Sequence, residues 1–161
     1  MTREELLQSL ATGGSPADLS HADLANLDVS RIDFRAAKLA SAVFNGASVR
    51  QSRLSRCDLS RSSWRGADLS QADLSQADLR SADLSGARLA ATNLAGTDLK
   101  GADFSGADLS GASLVGSQVI DASFKGANLA GADFTGATLR GVRGLDTANT
   151  SGARGLEGAL T

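Results

Sequence analysis

One period governs this chain. From Leu19 to Leu139, every fifth residue is apolar: sixteen Leu, five Phe, three Val and Trp64 fill the 25 positions without a gap. Two residues before each of these lies a second, smaller inward class. It is Ala at seventeen positions and otherwise Leu27, Ile32, Ser52, Cys57, Ser62, Thr92, Thr97 or Ser117. Asp directly precedes the large apolar residue thirteen times. A period of five matches neither the 3.6 of a helix nor the 2 of a strand, so a continuous element of either kind would scatter these Leu around its surface. A chain that turns a corner every five residues buries them all. Four such sides close a 20-residue square coil, and coils stack like parallel strands about 4.8 Å apart. The period therefore predicts an all-β solenoid of about six coils and roughly 30 Å in length.

Segments such as Ala67-Asp68-Leu69-Ser70-Gln71 and Ala102-Asp103-Phe104-Ser105-Gly106 resemble the A-(D/N)-(L/F)-x-x signature of the pentapeptide repeat family. The resemblance covers residues 17–141 and rests on the number of matches. It implies a right-handed quadrilateral β-helix; the square coil follows from packing alone, the hand from the resemblance.

The ends of a stacked coil carry unpaired backbone and call for covers. Thr2-Arg3-Glu4-Glu5 has capping-box spacing. Leu6, Leu7 and Leu10 recur on one helical face, and Gly13-Gly14 followed by Pro16 would stop the helix. A capping α-helix over residues 3–11 is expected, resting on a platform enlarged by Leu27 and Ile32. Past Gly141 the register slips, with Gly144 at a reference site and Leu145 one residue late. Residues 142–161, with only Leu145, Leu156 and Leu160 scattered among glycines, read as a degenerate cap. The whole chain, 1–161, reads as a single domain whose thinly covered carboxy-terminal end would be the place for a homodimer contact.

Composition limits the chemistry. One His, one Cys, one Trp and no Tyr in 161 residues leave no triad, no metal spacing and no disulfide. His21 reads as a solvated corner residue and Cys57 as a small buried hydrophobe. Trp64 reads as a core residue stacked in one column with Phe44 and Leu84, its indole N–H still needing a partner, which would make that stretch the least regular of the rod. The glycines from Gly96 to Gly116 match neither GxGxxG nor GxxxxGK[ST] and read as corners. No catalytic, cofactor-binding or metal-binding residue is assigned, and the chain reads as non-enzymatic. It holds no apolar run of membrane-spanning length, and a cytoplasmic protein with no membrane partner is expected.

Charge totals 16 Lys+Arg against 18 Asp+Glu, a net of −2. Acids and bases are close to balanced on each of the four sides. Along the axis, however, Arg50, Arg53, Arg56, Arg61 and Arg65 surround only Asp58 and form a basic belt, followed by Asp68, Asp73, Asp78 and Asp83 with only Arg80 among them. The belt is the candidate interaction surface, set against a plain reading in which Arg and Asp of adjacent coils pair across the ladder. A rigid scaffold that binds another protein is the function expected first. The family resemblance implies a second: some members are acidic, dimeric rods that mimic DNA, bind DNA gyrase and confer quinolone tolerance. This sequence departs from them in its balanced sides, its arginine belt and its Gly-rich tail. A third reading is nucleic-acid binding through the belt, against which the lack of exposed aromatics counts for single strands.

Overall fold

The computed structural model describes residues 1–11, 16–35 and 37–157. It opens with α1, Arg3–Ala11. The capping box forms reciprocally: the Glu5 amide donates to Thr2 Oγ1 at 3.2 Å, and the Thr2 amide donates to Glu5 Oε2 at 2.7 Å. Leu6 is fully buried and Leu10 partly so, whereas Leu7 is 43% exposed and does not join the apolar face expected for it. Arg3 ties the helix down by donating to the Asp28 carbonyl. Gly13 and Gly14, expected to end the helix, lie outside the described residues.

Beyond Pro16 the chain is a right-handed quadrilateral β-helix. The residue just before each large apolar residue bridges in parallel to the residue 20 positions on, without interruption from Asp18↔Lys38 to Ser123↔Arg143. These bridges fall into four columns, one per side. Called first to fourth in chain order, the sides begin with Asp18, Asp23, Asp28 and Asp33. Each column is a two-way ladder: the Leu19 amide donates to the Lys38 carbonyl at 2.8 Å, and the Lys38 amide returns to the Ala17 carbonyl at 2.9 Å. Corners close by a local turn, as where the Ala22 amide donates to the Leu19 carbonyl at 3.0 Å with His21 at φ 62° between them.

The Asp before the core residue has a structural task that its outward position hides. All thirteen such Asp accept the backbone amide two residues on, Asp18 from Ser20 and Asp133 from Thr135 being the first and last. That amide points outward at the corner and finds no backbone carbonyl; at Arg65, where Ser63 replaces the Asp, the Asn45 side chain of the neighbouring coil accepts it instead, at 2.9 Å. The Asp side chain supplies the acceptor, as in an Asx-turn. Asn93, Asn128 and Asn149 do the same.

Inside, every reference residue from Leu19 to Phe134 is buried, and Leu139 is partly so. Phe44 and Trp64 stack with centroids 4.0 Å apart and planes 2° from parallel, and Phe104 and Phe124 repeat the arrangement at 5.1 Å. Each buried hydroxyl at an Ala-type site returns to a carbonyl, for example Thr92 Oγ1 to Leu69 O at 2.9 Å and Ser117 Oγ to Leu114 O at 2.7 Å. Cys57 directs its Sγ to the Phe34 carbonyl at 3.1 Å.

Two further features depart from expectation. The stretch around Trp64 is as regular as the rest, because Ser62 supplies the missing partner: the indole Nε1–H donates to Ser62 Oγ at 2.6 Å, and Ser62 passes its own proton to the Leu59 carbonyl at 2.5 Å. The ladder also runs past Gly141. One extra residue changes the spacing to 21, with Asn128↔Asn149 and Asp133↔Arg154, and the third and fourth sides thereby complete a seventh level. Leu145 and Leu156, scattered among glycines in the sequence, converge in the fold: at 9% and 4% exposure they close the end of the core. Gly144 and Gly155 permit this by lying flat on the preceding coil, where an added Cβ would come within 2.5 Å of Lys125 N and of Phe134 C respectively.

Ser62→Ala installs the residue most common at that position, yet it should destabilise by about 1–3 kcal/mol because it strands a buried indole N–H. Adding Trp64→Leu should recover part of that loss. Thermal unfolding of the two single variants and the double variant measures the coupling, and additive effects would separate Ser62 from the indole.

Candidate functional site

With the interior filled, function is left to the outward positions. The structure distributes the arginine belt around the rod. Arg50 stands on the third side, Arg53 on the fourth, Arg56 at the corner between fourth and first, Arg61 at the corner between first and second, and Arg65 on the second. Arg50 lies 3.9 Å from Asp68 and Arg65 lies 2.5 Å from Asp83, both one coil on, so these two follow the plain reading of pairing between coils.

Neighbours in the lattice of coils lie 20 residues apart, and that step gathers a different set. On the third and fourth sides of the first two coils, Arg31, Arg35, Arg50, Arg53 and Arg56 face only Asp28 and Asp33. Arg35 grips Asp33 with Nε 2.9 Å from Oδ1 and Nη2 2.6 Å from Oδ2, while Arg53 approaches the same carboxylate at 3.9 Å. Arg31 and Arg56 make no ion pair among the described residues; each is held by an amide. Arg31 Nε donates to Gln51 Oε1 at 3.2 Å, and Gln51 passes on to Gln71 at 2.8 Å. Arg56 Nε donates to Gln76 Oε1 at 2.8 Å. Asp33, Arg35, Ser55, Arg56, Ser75 and Gln76 line a shallow depression on this face.

His21 is an exposed corner residue, and among the described residues no group of His, Cys, Asp or Glu has the geometry of a metal site. No helix among them is long and apolar enough to cross a membrane.

Seven Asp carboxyls are held below their ordinary range. For Asp18 and Asp133 the first cause is the hydroxyl of Ser20 or Thr135, for Asp28 the Ser30 amide, and for Asp33 and Asp78 the guanidinium of Arg35 or Arg80. At Asp68 and Asp83 burial pushes upward as the largest single effect. It is outweighed by hydrogen bonds from Ser70 and Ser85 together with Arg50 and Arg65.

The comparisons with known proteins bear on this geometry. The pentapeptide repeats family matches in eight copies over residues 17–56, 52–90, 82–118 and 120–143. The chain is a pentapeptide repeat protein. A comparison with curated proteins gives no match. Among solved structures, it resembles HetL, a pentapeptide repeat protein involved in heterocyst differentiation regulation from Nostoc sp. PCC 7120, with 24% identity over 98% of each chain and a TM-score of 0.40. It resembles a trypsin-treated form of QnrB1, a plasmid-mediated fluoroquinolone resistance protein, with 17% identity over 85% of this chain and 87% of that one and a TM-score of 0.52. A pentapeptide repeat protein of the Arabidopsis thaliana thylakoid lumen is 34% identical over 73% of this chain and 71% of its own, with a TM-score of 0.31.

Two outcomes follow from the Asp geometry of this repeat protein. Asp103, which accepts the Ser105 amide at 2.9 Å, should tolerate Asn, whose Oδ1 keeps the acceptor, while Asp103→Ala should cost about 1 kcal/mol in thermal or urea unfolding. Because the shifted carboxyls titrate lower in the folded state than in the unfolded one, their contribution is fully present above about pH 5 and is lost as pH falls through and below the ordinary value of 3.8. The melting temperature should therefore drop on acidification across that window, and a flat profile would contradict the assignment.

Proposed function

We propose that this pentapeptide repeat protein is a non-catalytic, rigid scaffold that binds another protein through its outward residues. One observation carries the reading: the two inward positions of every pentapeptide are spent on the core, leaving the three outward positions to vary without disturbing the coil. Side chains then stand on a lattice about 4.8 Å apart along the axis, a stiff array suited to matching a fixed partner surface.

A second reading, a DNA mimic that binds DNA gyrase and gives quinolone tolerance, is favoured by the fold likeness to QnrB1. The charge pattern argues against it, because basic and acidic residues interleave along every column. A homodimer, where one forms, is assigned to the carboxy-terminal end, with exposed Ser151 on its edge.

Affinity capture from the native host, followed by mass spectrometry, should recover a protein partner in near-stoichiometric amount. Turnover in a hydrolase, phosphatase and transferase screen that survives further purification would overturn the scaffold reading. Inhibition of gyrase supercoiling by the pure protein at low micromolar concentration would put the mimic ahead. Light scattering shows whether a dimer forms, and Ser151→Arg should break one built on that edge.

A further inference from the structure

We propose that the basic corner made by the third and fourth sides of the first two coils, with Arg31, Arg35, Arg53 and Arg56, binds an acidic segment of a partner protein. This deepens the scaffold reading and rests on it, by naming the surface and the chemistry it takes.

The backbone supplies the first argument. Every described corner residue from His21 to Gly141 has positive φ, which glycine adopts freely and other residues adopt at about 1 kcal/mol or more. On the corner between third and fourth sides, the lower coils use Gly111, Gly131 and Gly152, while the upper coils place Arg31 at φ 60°, Gln51 at 57°, Gln71 at 60° and Ala91 at 54°. On the next corner, Gly96, Gly116 and Gly136 give way in the upper coils to Arg56 at 62° and Gln76 at 59°. Packing does not account for the difference, since an added Cβ at Gly111, Gly116 or Gly131 would meet nothing within 4 Å. Short residues take the same turn at Ser41, Ser81 and Ala91, so what sets these two corners apart is that Arg31, Gln51 and Gln71 on one, and Arg56 and Gln76 on the other, stack long polar side chains one coil apart.

Charge supplies the second. The amides of Gln51 and Gln76 fix the guanidinium groups of Arg31 and Arg56 without neutralising them, and Arg35 and Arg53 share the single carboxylate of Asp33. Each guanidinium has five N–H donors in a planar fork, and those not used here suit a carboxylate in two-point contact. The interleaved acids decide between occupants. Asp28 and Asp33 lie within the patch, and Asp68 and Asp73 lie one coil below. A duplex, with a phosphate charge every ~1.7 Å, cannot avoid them. A peptide carries its carboxylates at separate points and can place them on the arginines alone, with its backbone groups left for the glutamine amides.

The test uses the full chain and a fluorescein-labelled peptide of alternating Glu and Gly, read by fluorescence anisotropy at low and at physiological salt. Wild type should bind it saturably, and more tightly at low salt. Arg31→Gly combined with Arg56→Gly should weaken binding about tenfold or more and at the same time raise the melting temperature, because the charge is lost and the left-handed strain relieved. Arg88→Gln, on the third side away from the corner, should change binding little. The proposal is overturned if wild type ignores the acidic peptide, if the double variant binds as well as wild type, or if a DNA duplex of similar length binds more tightly. Self-association in light scattering that the double variant abolishes would also overturn it, by making a second copy the occupant. Capture of the native partner by the double variant at wild-type yield would sink the acidic corner while leaving the scaffold reading intact; failure of both proteins to capture any partner would count against the scaffold itself.

Discussion

The left-handed residue at every fifth position is what the rest of the molecule depends on. Without it the chain would run on as a strand, the reference Leu would alternate out of the core, and no coil could return to pair with the one before. With it, each turn brings an amide and a carbonyl back beneath their partners 20 residues away. The corner is also where the two halves differ. Among the described residues, every corner from Gly96 to Gly141 is glycine except Asp121, whereas the corners from His21 to Ala91 are mostly other residues, each in the same φ range of 54–66° as the glycines among them. The carboxy-terminal half is thus relaxed and the amino-terminal half holds strain that its ladder and core must offset.

That asymmetry changes how the surface charges are read. The thirteen Asp that precede core residues are not free ornaments on a rod, since each is bent onto the amide two residues ahead of it and its position is set by the turn. A run such as Asp68, Asp73, Asp78 and Asp83 therefore follows from repeat chemistry before any partner is considered. The arginines and glutamines of the upper corners have no such local task. Their long side chains are not needed by the turn, which Ser41, Ser81 and Ala91 also make, so they carry more information about function than the more numerous acids.

The period made the square coil, the inward classes and the 3–11 helix legible, because five-residue spacing admits few ways to bury 25 large side chains. The roles that stayed hidden are those that depend on a neighbour one coil away or on a single hydroxyl. Leu7 matches the helical stripe yet faces water, since a nine-residue helix lying on a coil end contacts it along a narrow line through Leu6 and Leu10. Ser62 reads as an exception among alanines, and only the hydrogen bond from Trp64 explains it. The arginine belt was grouped by closeness along the chain, from Arg50 to Arg65, but coils bring together residues 20 apart. Arg31 and Arg35 therefore join Arg53 and Arg56, while Arg61 and Arg65 turn away to other sides.

The same logic accounts for the carboxy-terminal end. A coil in perfect register presents an apolar square and a paired-strand edge to whatever comes next, so register alone gives no reason for stacking to stop. The inserted residue between Arg143 and Asn149 breaks that equivalence, and the two Arg-Gly-Leu sequences at 143–145 and 154–156 use the break in the same way. Glycine sinks onto the preceding coil, where no side chain fits, and the following Leu swings over the core column that a large residue would otherwise have continued. Gly144→Ala or Gly155→Ala would drive a methyl group into backbone that cannot move without disturbing a ladder pair. The end of the rod is therefore specified as closely as its middle, by glycine where a reference Leu belongs and by Leu one step late.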